Sequence, residues 1–219
     1  MLKKVATGIA GLDTITKGGI PEKDLILVSG SSGTGKTILG LQFLYASKDR
    51  GIFVSFEEPL AQIKTTALGF GWDLDKIDRI RLLKYDPFKI EDIFEVIENN
   101  IKETDARRVV IDSISALGIY VKDPGDLRRM ILQVSSMLRK NDCTSLLISE
   151  VMNVNRLSRF GMEEFVTDGV IVMRNVFVNG EYRRGINVWK LRGSDHSRKV
   201  HSYKITDKGI VVYPNEIIK

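Results

Sequence analysis

The stretch Gly30-Ser31-Ser32-Gly33-Thr34-Gly35-Lys36-Thr37 (GSSGTGKT) fits the pattern Gly-x4-Gly-Lys-Ser/Thr in full. It follows a short apolar run, DLILVSG (Asp24–Gly30). It opens the segment KTILGLQFLYASK, whose Ile38, Leu41, Phe43, Leu44 and Ala46 fit a mostly buried helix. Strand, glycine-rich turn and helix form the context in which this pattern cradles phosphate. The glycines permit backbone angles that turn successive N–H groups toward an anion, and the helix adds the positive end of its dipole. The candidate nucleotide-binding residues are Gly30, Ser31, Ser32, Gly33, Thr34, Gly35, Lys36, Thr37 and Ile38. Lys36 is expected at the β- and γ-phosphates, and the Thr37 hydroxyl at a Mg²⁺ ion.

Outward from this turn, strand and helix patterns alternate. GIFVSF reads as a strand, followed by a helical pattern from Pro59 to about Leu68. IRLLKY is a third strand, IEDIFEVIENNIKE an amphipathic helix, and RRVVIDS a fourth strand. PGDLRRMILQVSSMLRKN is a helix opened by Pro124, and TSLLISE a fifth strand. This alternation predicts an α/β fold with a mostly parallel central sheet. The continuous apolar character of the strands predicts helices on both faces. After Glu150 the pattern changes to antiparallel hairpins, one turning at Asn179-Gly180 and one around Lys208-Gly209. With no repeat and no linker, residues 1–219 are expected to form a single domain.

The composition fits a water-soluble protein: 43% apolar, 28% charged, net charge +5. No apolar run approaches the ~20 residues that span a bilayer, and the N-terminus lacks an apolar signal core, so a cytoplasmic protein with no membrane association is expected. The one cysteine, Cys143, is expected as a buried structural thiol. With His196 and His201 it falls short of a zinc site.

A metal at Thr37 calls for a carboxylate at a neighbouring strand tip, and RRVVID ends in Asp112. FVSFEEP places Glu57 and Glu58 after a buried strand, where a base that orients water belongs. Both carboxylates would also favour the start of the following helix. No guanine-reading Asn-Lys-x-Asp is present, which argues against a GTPase.

Taken together, these pieces resemble the RecA-like ATPases, and within them the KaiC family of circadian-clock and archaeal KaiC-domain proteins. The segments that carry the resemblance include TGIAGLDTITKGGIPEKDLILVSGSSGTGKT, FVSFEEP, GFGWDL, VVIDSIS, FGMEEFVTDGVIVM and KLRGSDH…KITDKGI, covering nearly the whole chain. Single-domain archaeal members are also described as paralogues of the recombinase RadA, and this chain looks like one of them. The resemblance implies a hexamer with ATP between neighbouring subunits. It implies Glu57 as the base, with Glu58 assisting. Lys190, Leu191, Arg192, Ser194 and His196 would touch nucleotide from the adjacent subunit, and Thr206 and Asp207 would lie near the adenosine. Where the clock protein's second domain carries adjacent Ser and Thr phospho-acceptors, this chain has Glu164 and Phe165, so the clock autokinase activity is not expected.

Three functions compete. The leading one is an oligomeric Mg²⁺-ATPase with sites shared between subunits, acting in DNA recombination or repair. In it a strand ending in Lys190 and Arg192, within NVWKLRGSDH (Asn187–His196), projects both cations past the sheet edge to the neighbour's γ-phosphate. The second is a nucleic-acid-binding accessory of recombination, bound to single-stranded DNA or a recombinase, with Arg156 and Arg159 of MNVNRLSRFGMEEF as phosphate contacts. The third, a phosphotransferase, is disfavoured by Glu57 and by the lack of a basic lid.

Overall fold

Along the strand Leu25–Gly30, the side chains divide between two faces. Ile26 and Val28 enter one apolar cluster, while Leu25 and Leu27 enter another. A strand buried on both sides needs a helical layer over each face, and the chain supplies both. The computed structural model describes residues 2–85, 93–118, 121, 123–153 and 155–219.

In chain order the elements are β1 (Lys4–Val5), α1 (Leu12–Ile15), β2 (Ile20–Pro21), β3 (Leu25–Gly30), α2 (Lys36–Tyr45), β4 (Gly51–Ser55) and α3 (Leu60–Leu68). A 3₁₀ turn, Leu74–Lys76, precedes β5 (Ile80–Lys84), α4 (Ile93–Thr104), β6 (Arg108–Asp112), α5 (Ile114–Gly118) and α6 (Pro124–Lys140). The chain continues through β7 (Thr144–Glu150), α7 (Glu163–Val166), β8 (Gly169–Val178), β9 (Glu181–Leu191), β10 (His201–Thr206) and β11 (Gly209–Ile217). Residues Ile90–Asp92, which begin the amphipathic pattern expected before α4, lie outside the described residues.

The main sheet has nine strands in the order β11-β10-β9-β8-β3-β7-β6-β4-β5. From β8 to β5 all neighbours are parallel, and β8 through β11 pair antiparallel, as the sequence predicts. Helices α2 and α3 pack on one face with Phe43, Leu44, Ile63 and Ala67, and α4, α5 and α6 cover the other with Ile97, Ile101, Ile114, Leu127 and Val134. Both central residues of the first hairpin turn, Asn179 (φ 52°) and Gly180 (φ 87°), have positive φ, as a type I′ turn requires. Cys143 is buried, as expected, and burial pushes its thiol up to about 12.

Sequence periodicity does not reveal the short pieces. The β1–β2 ribbon and the four-residue helices α1 and α7 are too brief to establish a period. α5 is five residues long and buried throughout, so it carries no amphipathic signature. One expectation needs correction. The strand that was to end in Lys190 and Arg192 stops at Leu191, and Arg192 lies in the turn beyond it. β9 lies between β8 and β10 in the sheet order, but β10 pairs only with its Gly185 and Ile186, so Lys190 and Arg192 emerge at the C-terminal end beyond that pairing.

Candidate active site

Parallel strands present their C-terminal tips to a common crevice, and ligands of open α/β sheets bind there. Here the tips of β3, β7, β6 and β4 lie side by side and carry Gly30, Glu150, Asp112 and Ser55. A cavity of about 250 Å³ opens above them. Its lining includes Ser32, Gly33, Gly35, Lys36, Thr37 and Ile38 of the glycine-rich turn, with Glu57, Glu58, Asp112 and Glu150.

The turn itself is tightly built. A Cβ at Gly30 would stand 2.3 Å from the Met173 carbonyl oxygen, so only glycine fits between the strands there. Gly33 and Gly35 both have positive φ (76° and 89°), and Gly35 directly precedes α2. Lys36 is buried, and its ammonium donates to the Ser31 carbonyl at 3.0 Å. Burial pulls its pKa below the usual lysine value, while Glu150, Asp112 and Glu57 work against that fall.

Thr37 Oγ1 donates to Asp112 Oδ2 at 2.7 Å, joining the start of α2 to the tip of β6. Burial pushes the Asp112 carboxyl up to about 6 despite that hydrogen bond, and Glu58 and Glu57 add to the rise. A hydroxyl and a carboxylate at one point form a hard oxygen donor pair. Among the described residues no group of three His, Cys, Asp or Glu side chains forms a cage. This set fits a Mg²⁺ ion that takes its remaining ligands from phosphate and water.

Glu57 lies in the same cavity. Burial raises its pKa, Glu150 and Glu58 raise it further, and Arg159 and Lys36 oppose the rise. A carboxylate with raised basicity beside a phosphate cradle can accept a proton from water. Four lining residues were not singled out by the sequence reading, and one of them, Ser55, is the small polar residue at the tip of β4. Glu150 closes the apolar run TSLLISE, so a carboxylate at a strand tip was the available signal. Gln62 and Thr66 are four apart on α3, a spacing that puts both on one face, but nothing in their residue type marks a site.

The remaining predicted residues fall into two groups. Thr206 ends β10 and Asp207 opens the turn to β11, and that hairpin packs on the glycine-rich turn, with Ile205 Cδ1 2.9 Å from where a Gly35 Cβ would sit. Lys190, Leu191, Arg192, Ser194 and His196 are not among the residues lining this chain's cavity. Lys190 Nζ donates to the carbonyls of Glu164 (2.6 Å) and Thr167 (2.5 Å). Arg192 donates to the Phe165 carbonyl (3.1 Å) and reaches Asp168 Oδ1 at 3.5 Å. Both cations therefore lean on the same segment around α7. Of the two arginines read as DNA contacts, Arg159 bears on Glu57, and Arg156 lines a small cavity beside Ser31.

Comparison with known proteins places these features in a family. The family described as ATPase: KaiC matches residues 5–217. A UPF0273 protein of Thermotoga maritima is 38% identical over 99% of this chain and 98% of its own length, and one of Pyrococcus furiosus is 36% identical over 100% and 97%. The circadian clock oscillator protein KaiC of Parathermosynechococcus lividus is 36% identical over 97% of this chain, which spans 43% of that longer protein. A crystal structure of a KaiC-like protein from Pyrococcus horikoshii superposes with a TM-score of 0.90 at 33% identity, covering 98% of this chain and all of that one.

Proposed function

Since the chain belongs to the KaiC ATPase family, we propose that it is a Mg²⁺-dependent ATPase whose 219 residues act as one domain. In this reading copies assemble head to tail into a ring, a hexamer as in the resemblance, with each ATP between two subunits. The observation that carries the reading is the convergence of Lys36, the Thr37–Asp112 pair and Glu57 in one cavity at the strand tips. The N–H groups of the glycine-rich turn and the Lys36 ammonium hold the phosphates. Thr37 and Asp112 would hold the metal, which when bound would supply positive charge to offset that of the phosphates. Glu57 orients water and takes its proton as the water oxygen bonds to the γ-phosphorus, and the bond to the β,γ-bridging oxygen breaks to give ADP and phosphate. Glu58 lies next to it and assists. Charge on the γ-phosphate's outer oxygens is met by Lys190 and Arg192 of the adjacent copy. A cation supplied in this way is worth ~10³–10⁵ in rate in related nucleotide hydrolases.

The test is calorimetric titration with Mg·ATP. Lys36→Ala removes the charge at the β- and γ-phosphates and is expected to lose most of the binding. Equal affinity in the two proteins would overturn the assignment. Hydrolysis measured with and without single-stranded DNA separates this reading from a nucleic-acid accessory role.

A further inference from the structure

Tyr203 lies on β10, is 2% exposed, and donates its phenolic hydroxyl to the Thr34 carbonyl at 2.5 Å. Thr34 belongs to the glycine-rich turn, 169 residues earlier in the chain. Among the described residues, Tyr203 is the one side chain from outside the segment 30–37 that donates to the backbone of residues 31–35. The other two ties are internal: Thr34 Oγ1 and Lys36 Nζ both donate to the Ser31 carbonyl.

The surroundings make this contact rigid. Gln42 on α2 accepts from the Ile210 N–H at 2.6 Å and donates to the Ile210 carbonyl at 3.2 Å, locking the β10–β11 hairpin to the helix that follows the turn. Ile205 and Ile210 crowd the space a Gly35 side chain would take, with their Cδ1 atoms 2.9 and 3.7 Å from where its Cβ would sit. Gly209, with φ 106°, has room for no side chain, because a Cβ would stand 2.5 Å from Gln42 Oε1 and 2.7 Å from Trp72. The phenol therefore cannot slide relative to the turn without moving the whole hairpin.

A trans peptide unit is planar, with its C=O and N–H pointing in opposite directions. Fixing the Thr34 carbonyl toward Tyr203 fixes the Gly35 N–H toward the opposite side. Gly35 is the residue at which the turn enters α2, with Lys36 immediately after it, and it lines the cavity. Glycine at φ 89° has no side chain to hold that peptide plane, so an external anchor is needed to keep it in one orientation.

We propose that Tyr203 is a positioning residue for nucleotide binding: its hydroxyl orients the Thr34–Gly35 peptide so that the Gly35 N–H is aimed into the phosphate cradle before the nucleotide arrives. The inference rests on the cavity being a nucleotide site. Tyr203 touches no phosphate itself and acts through the backbone. A preorganised donor lowers the cost of ordering on binding, so its loss weakens affinity without altering the chemistry at Glu57.

The experiment compares wild type, Tyr203→Phe and Lys36→Ala, using Mg·ADP and Mg·ATP as probes. Removing one net hydrogen bond corresponds to about a three- to tenfold change in an equilibrium constant. Tyr203→Phe is expected to weaken both nucleotides by that factor and to raise KM equally, with kcat within about twofold of wild type. In nucleotide-free protein, hydrogen exchange should quicken in a peptide covering residues 31–37 while the β3 and β7 core stays protected. The phenyl ring keeps the packing, and a thermal melt checks that the variant is folded. If Lys36→Ala binds as wild type does, the nucleotide site itself is misplaced. If Lys36→Ala loses binding while Tyr203→Phe keeps wild-type affinity and loop exchange, the positioning role is overturned. A Tyr203→Phe protein that melts lower but binds equally well also overturns it, since that is the signature of packing alone.

Discussion

Thr37 and Asp112 are 75 residues apart, yet their side chains meet at 2.7 Å across the mouth of the cavity. The hydrogen bond joins the first turn of the phosphate-loop helix to the tip of β6, two strands away from β3 in the sheet. It marks the point where a hydroxyl and a carboxylate can share one divalent cation. Thr37→Val keeps the branched shape and deletes the oxygen. The expected result is nucleotide binding that no longer strengthens when Mg²⁺ is added, read by titrations with and without the metal. An undiminished Mg²⁺ effect would place the metal elsewhere.

Glu57 and Glu58 are adjacent, but the structure separates their circumstances. Burial raises the Glu57 carboxyl, whereas the Glu58 carbonyl is tied to the Ser55 hydroxyl at 2.7 Å. Glu57→Gln preserves shape and removes the base, so ATP should stay bound while hydrolysis slows by ~10²–10⁴-fold, the usual range for general-base loss. Glu58→Gln should cost less. Single-turnover hydrolysis alongside binding measurements checks both, and the reverse ranking would exchange their roles.

How much of this was legible beforehand depends on the range of the signal. The glycine-rich turn is contiguous, so eight residues declare it. The sheet is legible because strands buried on both faces must be largely apolar along their length, as LILV and IFV are. Asp112 was readable because it closes such a strand, and Glu57 because it follows one. Glu150 closes one too, but a terminal Glu is common, and only the sheet order places it between Gly30 and Asp112. Tyr203 gave no signal at all. Its role comes from a contact 169 residues away, and no local period encodes that.

Asp24 offers a pH test away from the site. It precedes β3, and burial together with the nearby Asp168 pushes its carboxyl up to about 6, against Arg139 and Arg192. The folded state thus disfavours the carboxylate. Asp24's favourable contribution is complete below about pH 3.8, the unfolded value, and is lost as pH rises through about 6. A shift of this size corresponds to no more than about 3 kcal/mol, and partial solvent screening reduces the expectation to roughly 1 kcal/mol. Asp24→Asn should therefore raise Tm by about 2–4 °C at pH 8 and by nothing measurable near pH 4. A pH-independent difference would mean that the charge is not the cause.

The last prediction concerns the two cations at the end of β9. Lys190 and Arg192 are not free arms. The carbonyls of Glu164, Phe165 and Thr167 hold them, with Asp168 beside the guanidinium. Two long side chains anchored on main-chain oxygens lose less freedom when they meet an anion, which suits a preset contact with a second molecule. None of this chain's own cavity lining includes them, so in a shared-site arrangement they serve the neighbour. Trp189 is 56% exposed and next to Lys190, so it can serve as the optical probe of such a contact, while the second tryptophan, Trp72, is buried at 5%. Assembly in the presence of Mg·ATP should shift Trp189 emission to shorter wavelength, and Trp189→Phe should abolish the change. Mixing two inactive proteins, Glu57→Gln and Arg192→Ala, then tests catalysis across the boundary. Once mass measurement shows that subunits exchange, some interfaces pair an intact Glu57 with a neighbour's intact Arg192, and hydrolysis should reappear. For random exchange at equal concentrations, about a quarter of interfaces carry both intact groups, because each of the two facing subunits must independently be the right variant. Exchange with no recovered hydrolysis would put Arg192 outside the neighbour's reaction and leave its carbonyl contacts as a purely internal clasp.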